Sequence, residues 1–243
     1  MSILNVENFD KYDYNNKDKN NKSQKHFLLP AHKSRIVICG SSGNGKSNLL
    51  LDMVKNKLVY DKLYIFSRHL QQPKYQYLIK YFNTIDKLMK DEYDIDNKTV
   101  ELIEDNLDNI PEINDLDDNT KKIFIFDDFN IMTKKQEKLI NDYYTRSRHK
   151  NASCIFIGQI YFLIPREIRL NLTHLILFNN GNNKEISLLY QELGSDLSKE
   201  DFKEMYNKCV NPKFNFLMIH KDANNKHLKY RRNFNELYIP KLI

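Results

Sequence analysis

The octapeptide Gly40-Ser41-Ser42-Gly43-Asn44-Gly45-Lys46-Ser47 follows directly on the apolar run Arg35-Ile36-Val37-Ile38-Cys39 and leads directly into Asn48-Leu49-Leu50-Leu51-Asp52-Met53. That order reads strand, loop, helix. Glycines let the backbone curl until successive N–H groups converge on one anion, and the helix that follows brings its positive end to the same point. The spacing GxxxxGKS is that of a phosphate-binding loop, in which residues Gly40 to Ser47 would cradle a nucleoside triphosphate. Lys46 would reach the β- and γ-phosphates, and the Ser47 hydroxyl would hold Mg²⁺. The bland alternative is a Gly/Ser loop that merely joins a strand to a helix.

At 243 residues the chain has room for one sizeable α/β core with additions, and too little for two. A hydrophobic share of 41%, with 15 Tyr and 14 Phe, suffices for that core although tryptophan is absent. The net charge of +6 fits a polyanionic partner, but an excess this small among so many charges also fits an ordinary solvated surface. Cys39, Cys154 and Cys209 are far apart, and two lie inside apolar runs, so reduced core thiols are expected and no zinc spacing occurs. The start Met-Ser-Ile-Leu-Asn-Val-Glu-Asn lacks the basic and apolar regions of a leader peptide. The longest apolar passage, Cys154 to Pro165, is broken by Gly158-Gln159 and falls short of the ~20 residues that span a bilayer, so no integral membrane segment is expected.

Residues 1–26 read as a flexible polar arm, because Asn8 to Lys25 alternate Asp, Lys, Asn and Tyr with almost no aliphatic side chains to offset the entropy of ordering. Its lysines 17, 19, 22 and 25 suit a nucleic-acid backbone or simply solvent. Phe27-Leu28-Leu29-Pro30 opens the apolar part of the chain, as an edge segment or a lip beside the nucleotide. Residues 27–243 then read as a single P-loop ATPase domain, with 210–243 a C-terminal hairpin extension. Leu49, Leu50, Met53 and Val54 mark one helix face, and Lys62 to Phe66 a second strand. Tyr77, Leu78, Tyr81 and Phe82 predict a helix after Pro73; Val100, Leu102, Ile103 and Leu107 predict another; Asn114 to Asn119 reads as a surface loop. Helices are expected over 134–147, after Pro165, through Ile186 to Leu193, and after the capping pair Ser198 and Asp201. Strands are expected at Ser153 to Ile157 and Thr173 to Phe178, with a hairpin of Asn215 to His220 and Leu228 to Arg232. The basic residues of that hairpin, Lys226, Lys229, Arg231 and Arg232, suit either a DNA-facing patch or a charged edge that resists aggregation.

The run Lys122-Ile123-Phe124-Ile125-Phe126 has the continuous apolar character of a strand buried on both faces, and it ends in Asp127-Asp128. Ligands collect at the C-terminal ends of parallel strands. There Asp127 would bind Mg²⁺ through water and Asp128 would orient and deprotonate an attacking water; the competing reading is a turn in which both aspartates meet solvent. The strand Ser153 to Ile157 ends in Gly158-Gln159, whose amide would read the γ-phosphate or position water, or would simply cap the strand.

Taken together, GxxxxGKS, a strand ending in Asp-Asp, the arginine-rich Arg146-Ser147-Arg148-His149 and a strand ending in Gln159 resemble the FtsK-HerA class of ATPases. Within it, the short length, Phe27 to Pro30, and Arg148-His149 ahead of the Gln159 strand resemble the genome-packaging ATPases of poxviruses, giant viruses and virophages. The resemblance spans roughly residues 27 to 180. It implies a RecA-like P-loop NTPase fold, α/β with a mostly parallel central sheet flanked by helices, and the Gln159 strand inserted between the phosphate-loop and Asp127 strands. It further implies ATP and Mg²⁺ as cofactors and a homo-oligomeric ring, pentameric or hexameric, that drives double-stranded DNA into a capsid and meets a capsid or portal-vertex protein. Such a motor would work in the host cell cytoplasm or viral factory, and could travel with the virion. In such rings an arginine of one subunit completes the neighbour's site; Arg148 matches that position best, with Arg146 and Arg169 in reserve. One departure is Asp128, where the class usually carries a glutamate one methylene longer.

The resulting expectation is an Mg-ATP-hydrolysing motor that translocates double-stranded DNA into a viral capsid, with Lys46, Asp128, Gln159 and Arg148 as its catalytic residues and Ser47 and Asp127 at the metal. A small-substrate kinase also uses a phosphate loop, but usually adds an arginine-rich lid, whereas here the arginines cluster near the Asp-Asp and Gln strands. A GTPase switch would need an Asn-Lys-x-Asp tetrapeptide, which the chain lacks. A non-catalytic, nucleotide-gated capsid assembly subunit stays open on residues alone.

Overall fold

The computed structural model describes residues 23–96, 98–129, 131–180 and 183–238. The polar arm expected up to residue 26 therefore lies outside the described residues as far as residue 22. Among the described residues the framework is one nine-stranded sheet in the order β3-β2-β4-β5-β1-β6-β7-β8-β9. The six strands from β3 to β6 run parallel: β1 (Arg35–Cys39), β2 (Lys62–Ser67), β3 (Val100–Glu104), β4 (Lys122–Asp127), β5 (Ala152–Gly158) and β6 (His174–Leu177). The last three, β7 (Leu217–His220), β8 (Tyr230–Arg232) and β9 (Glu236–Leu237), are antiparallel. β5 lies between the strand that carries the phosphate loop and the strand that ends in Asp127, as the family resemblance implied.

Helices cover both faces, which is why the central strands are apolar at every position rather than at alternate ones. On one face Ile36, Ile38, Ile65, Ile123, Ile125, Ile155 and Ile157 meet α1 (Lys46–Asp52), its π-helical continuation Met53–Lys57, and α2 (Pro73–Tyr93) through Leu50, Met53, Tyr75 and Leu78. On the other, Val37, Phe124, Phe126, Cys154 and Phe156 meet α3 (Lys134–Arg146), α4 (Arg166–Asn171), α5 (Asn183–Leu193) and α6 (Lys199–Val210) through Ile140, Tyr143, Ile168, Leu189 and Phe202. The three cysteines are free and buried in these layers. Among the described residues no helix is long and apolar enough to cross a membrane.

Three expectations need correction. The helix predicted through Val100 to Leu107 is instead the edge strand β3, paired in parallel with β2. Five residues containing Val, Leu and Ile suit a pleated edge, and Leu107 falls in the loop beyond, so the helical spacing was coincidental. Phe27 to Pro30 is no lip beside a nucleotide: Lys25 Nζ donates to Asn56 O, His32 Nε2 lies 3.0 Å from Asn151 O and Lys33 N donates to Ser153 Oγ, all at the N-terminal edge of the parallel strands. The hairpin is no free basic patch either. Arg231 is 2% exposed, Lys229 pairs with Asp196 at 2.7 Å, and Arg232 pairs with Glu236 at 3.3 Å and donates to Asn211 O. Its strands continue the central sheet beyond β6.

Candidate functional site

Register assembles the site. Ser67 stands opposite Asp127, Asp127 opposite Ile157, and Cys39 opposite Gly158, so the ends of β2, β4, β5 and β1 form one row at the C-terminal edge of the parallel strands. Residues just past that row share a single cavity of ≈ 290 Å³. It is lined by the phosphate loop and its helix (Ser42, Gly43, Gly45, Lys46, Ser47, Asn48), by Asp127 and Asp128, and by Gln159. Those sequence-predicted residues are thus brought together from three strands.

Local geometry explains the loop. Gly40 has φ 152 and sits so close to Phe178 that an added Cβ would come within 2.6 Å of the Phe178 Cβ. Gly45 caps α1 at φ 102, where a side chain is strongly disfavoured. The segment after β6 holds the loop from behind: Asn44 Nδ2 donates to Asn179 O at 2.7 Å, and Ser41 Oγ donates to Asn180 Oδ1 at 2.8 Å. Asn180 in turn hydrogen-bonds the buried Glu185, whose other oxygen accepts from the Tyr161 N–H. Burial raises the Glu185 pKa, and the Tyr161 N–H opposes that shift.

Lys46 Nζ donates to the loop's own carbonyls, Gly40 O at 2.6 Å and Ser41 O at 3.0 Å. Burial lowers its pKa, while Cys39, Asp127 and Asp128 pull the other way. Asp127 is 8% exposed, and burial raises its pKa; the Tyr75 hydroxyl, donating at 2.5 Å, holds it down, and neighbouring Asp128 pushes it up again. A buried carboxylate at the phosphate end of a P-loop, with a serine hydroxyl across the cavity, is a hard oxygen donor set that fits Mg²⁺ completed by water and phosphate oxygens. Asp128 adopts φ 63, and its carboxylate lies 2.6 Å from His69 Nε2.

His69, Gln72 and Lys74 also line the cavity and were missed from sequence, as was Phe214. The first three follow β2 directly, so the rule that ligands gather beyond parallel strand ends could have found them. Phe214, before β7, carries no local signal.

Arg148 is not part of this cavity. It lies in the turn Ser147–Lys150 that precedes β5, at the opposite edge of the sheet from Gln159, which follows β5. Seven residues at ~3.3 Å each separate the two edges by roughly 20 Å. Sequence proximity to the Gln159 strand does not carry it to the site of its own chain. Of the reserves, Arg146 donates to Asn114 Oδ1, and Arg169 is held by Glu192 and Ile164 O.

The fold recurs in solved structures. The genome packaging NTPase B204 of Sulfolobus turreted icosahedral virus 2, in complex with AMP, superposes with a TM-score of 0.54 at 12% identity over 83% of this chain and 96% of that one. B204 of Sulfolobus turreted icosahedral virus, described as a DNA-packaging ATPase, gives 0.52 at 15% identity over 87% and 98%. VirB4 of Thermoanaerobacter pseudethanolicus gives 0.50 at 10% identity over 84% and 89%. At such identities the likeness is one of fold, a P-loop NTPase with a mostly parallel sheet. No curated protein matches the chain in sequence. A family profile described as poxvirus A32 protein matches residues 21–207, which include the phosphate loop, Asp127, Asp128 and Gln159. With more than half its length matched around those residues, the chain belongs to the poxvirus A32 protein family.

Proposed function

We propose that the chain is an Mg-ATP-hydrolysing motor that translocates double-stranded DNA into a viral capsid. The observation that carries the reading is the convergence of the phosphate loop, Asp127, Asp128 and Gln159 on one cavity. The family, and the packaging role in the name of B204, support the choice of DNA as the transported polymer.

In this reading the N–H groups of the loop take the phosphates, and Lys46 leaves the Gly40 and Ser41 carbonyls for phosphate oxygens. Mg²⁺, held by Ser47 and through water by Asp127, would neutralise charge on the β- and γ-phosphate oxygens. Gln159 positions the attacking water, and Asp128 takes its proton as the oxygen attacks phosphorus and the ADP oxygen leaves. His69, 2.6 Å from the Asp128 carboxylate, orients it. Arg148, remote from its own cavity, serves only a neighbouring subunit, within a pentameric or hexameric ring that engages DNA and a capsid or portal-vertex protein. The setting is the host cytoplasm or viral factory, with association to the virion.

ATP hydrolysis by the purified chain should depend on Mg²⁺ and rise with double-stranded DNA, and Lys46→Ala should lower it about 100-fold or more. Activity indifferent to every nucleic acid would sink the translocase. ATP binding without turnover, even with DNA and Mg²⁺, would favour the non-catalytic assembly subunit instead.

A further inference from the structure

The phosphate-binding cavity has an aromatic rim that the phosphate chemistry does not use. Phe214 lines it from the loop between α6 and β7, beyond the residues matched by the family profile. Phe214 is 61% exposed, so core packing does not account for it. Its backbone has φ 77, a left-handed conformation that aromatic residues rarely adopt. Such a conformation persists only where its surroundings impose it.

The surroundings do so here. Asn215 N and Nδ2 both donate to Pro212 O, at 3.2 and 2.9 Å. Asn233 Nδ2 donates to Asn215 Oδ1 at 2.8 Å, and Asn233 exchanges hydrogen bonds with the backbone of Phe216 on the far side. Phe216 is buried and packs on Phe178 with ring centroids 5.4 Å apart; Phe178 is the residue that abuts Gly40. The loop is thus tied to the back of the phosphate loop while Phe214 faces the cavity. Its ring edge reaches Gly45, where a built Cβ would lie 3.3 Å from the Phe214 Cδ1. Lys213 Nζ stands 5.1 Å from the ring centroid, adding a cation beside a site for an anionic ligand.

A nucleotide with its phosphates on Gly43 to Ser47 must run its ribose and base out along this rim. We propose that Phe214 is the stacking platform for the nucleobase of the bound nucleoside triphosphate. The inference rests on the phosphate-loop reading and adds a base subsite to it. A flat ring carried on a backbone anchored in advance lowers the entropic cost of stacking, and it reads a π-face rather than a hydrogen-bond edge.

The chain contains no tryptophan, so Phe214→Trp places a single indole at the rim of the full-length protein. Its fluorescence should be quenched on titration with a non-hydrolysable ATP analogue and stay unchanged with inorganic tripolyphosphate. Phe214→Asn keeps a residue that tolerates positive φ and removes the ring. Loss of one stacked base corresponds to about 5- to 150-fold weaker binding of the analogue, with tripolyphosphate affinity and the thermal unfolding midpoint unchanged. If wild-type protein binds both ligands and Phe214→Asn binds the analogue equally well, or loses both in step, the platform is refuted alone. Binding of neither ligand by wild-type protein would overturn the phosphate-loop reading and the platform with it.

Discussion

Replacing Gly40 by alanine should destabilise the protein far more than replacing Gly43, although both glycines belong to the same loop. A Cβ built on Gly40 meets Phe178 Cβ at 2.6 Å, Phe178 Cα at 3.2 Å and Phe178 C at 3.3 Å. Phe178 cannot withdraw cheaply: its N–H donates to Cys39 O at 2.8 Å, its carbonyl accepts from Tyr206 Oη at 3.1 Å, and its side chain is 2% exposed. The loop itself must therefore move. Overpacking of this kind costs about 1–3 kcal/mol, and forcing a side chain to φ 152 adds about 1–3 kcal/mol. The sum, about 2–6 kcal/mol, lowers the unfolding midpoint by roughly 4–24 °C for a chain of this size. At Gly43, φ is 75 and nothing lies within 4 Å of the added Cβ, so only the backbone term remains, about 1–2 kcal/mol. Calorimetry on the two variants decides the matter. A Gly40→Ala midpoint equal to that of wild type, or a Gly43→Ala loss that exceeds it, would refute the packing argument.

Two further outcomes follow from charge and position. Mixing Arg148→Ala with Lys46→Ala protein should restore part of the ATPase activity, because Arg148 lies at the opposite edge from its own cavity and each variant would supply what the other lacks; mixed rings without recovery would remove Arg148 from catalysis. His174 is buried, stacked on His220 with centroids 4.2 Å apart, and its pKa is held well below 6.5 by burial, His220 and Arg231. Burial and Arg231 lower that of His220 too, against Asp222. The fold thus favours neutral imidazoles: no penalty exists above pH 6.5, and stability falls as the unfolded chain takes up protons below it. For His174 the loss should be roughly 1 kcal/mol between pH 6.5 and 5.5. His174→Phe should flatten the dependence of the unfolding midpoint on pH, and an unchanged slope would dismiss the assignment.

What the sequence made legible follows the physics of burial. β1, β4 and β5 announce themselves as unbroken apolar runs because helices cover both of their faces, and that parallel, doubly covered character by itself assigns the residues at their ends to one edge. β3 was hidden because an edge strand is half-covered: Val100 is buried, but Glu101 to Glu104 are only partly so, and Leu107 supplied a false helical spacing. Lys46, Asp127, Asp128 and Gln159 were legible because each abuts a strong strand or glycine signal. His69 was not, since its link to Asp128 spans 59 residues and exists only through the β2–β4 register. Arg148 precedes β5 and Gln159 follows it, so the two lie at opposite edges of the sheet, and a role for Arg148 can only be in a neighbouring subunit's site.

The chain of hydrogen bonds from Ser41 through Asn180 and Glu185 to the Tyr161 N–H joins the first turn of the phosphate loop to the segment just past Gln159. Its members cannot separate freely, because a buried Glu185 that lost either donor would forfeit one of the two hydrogen bonds that offset its desolvation. The segment just past Gln159 and the loop that would grip the triphosphate are therefore both tied to Glu185 of α5. Any displacement of α5 would strain hydrogen bonds on both sides of the cavity, at the phosphate loop through Asn180 and beside Gln159 through Tyr161.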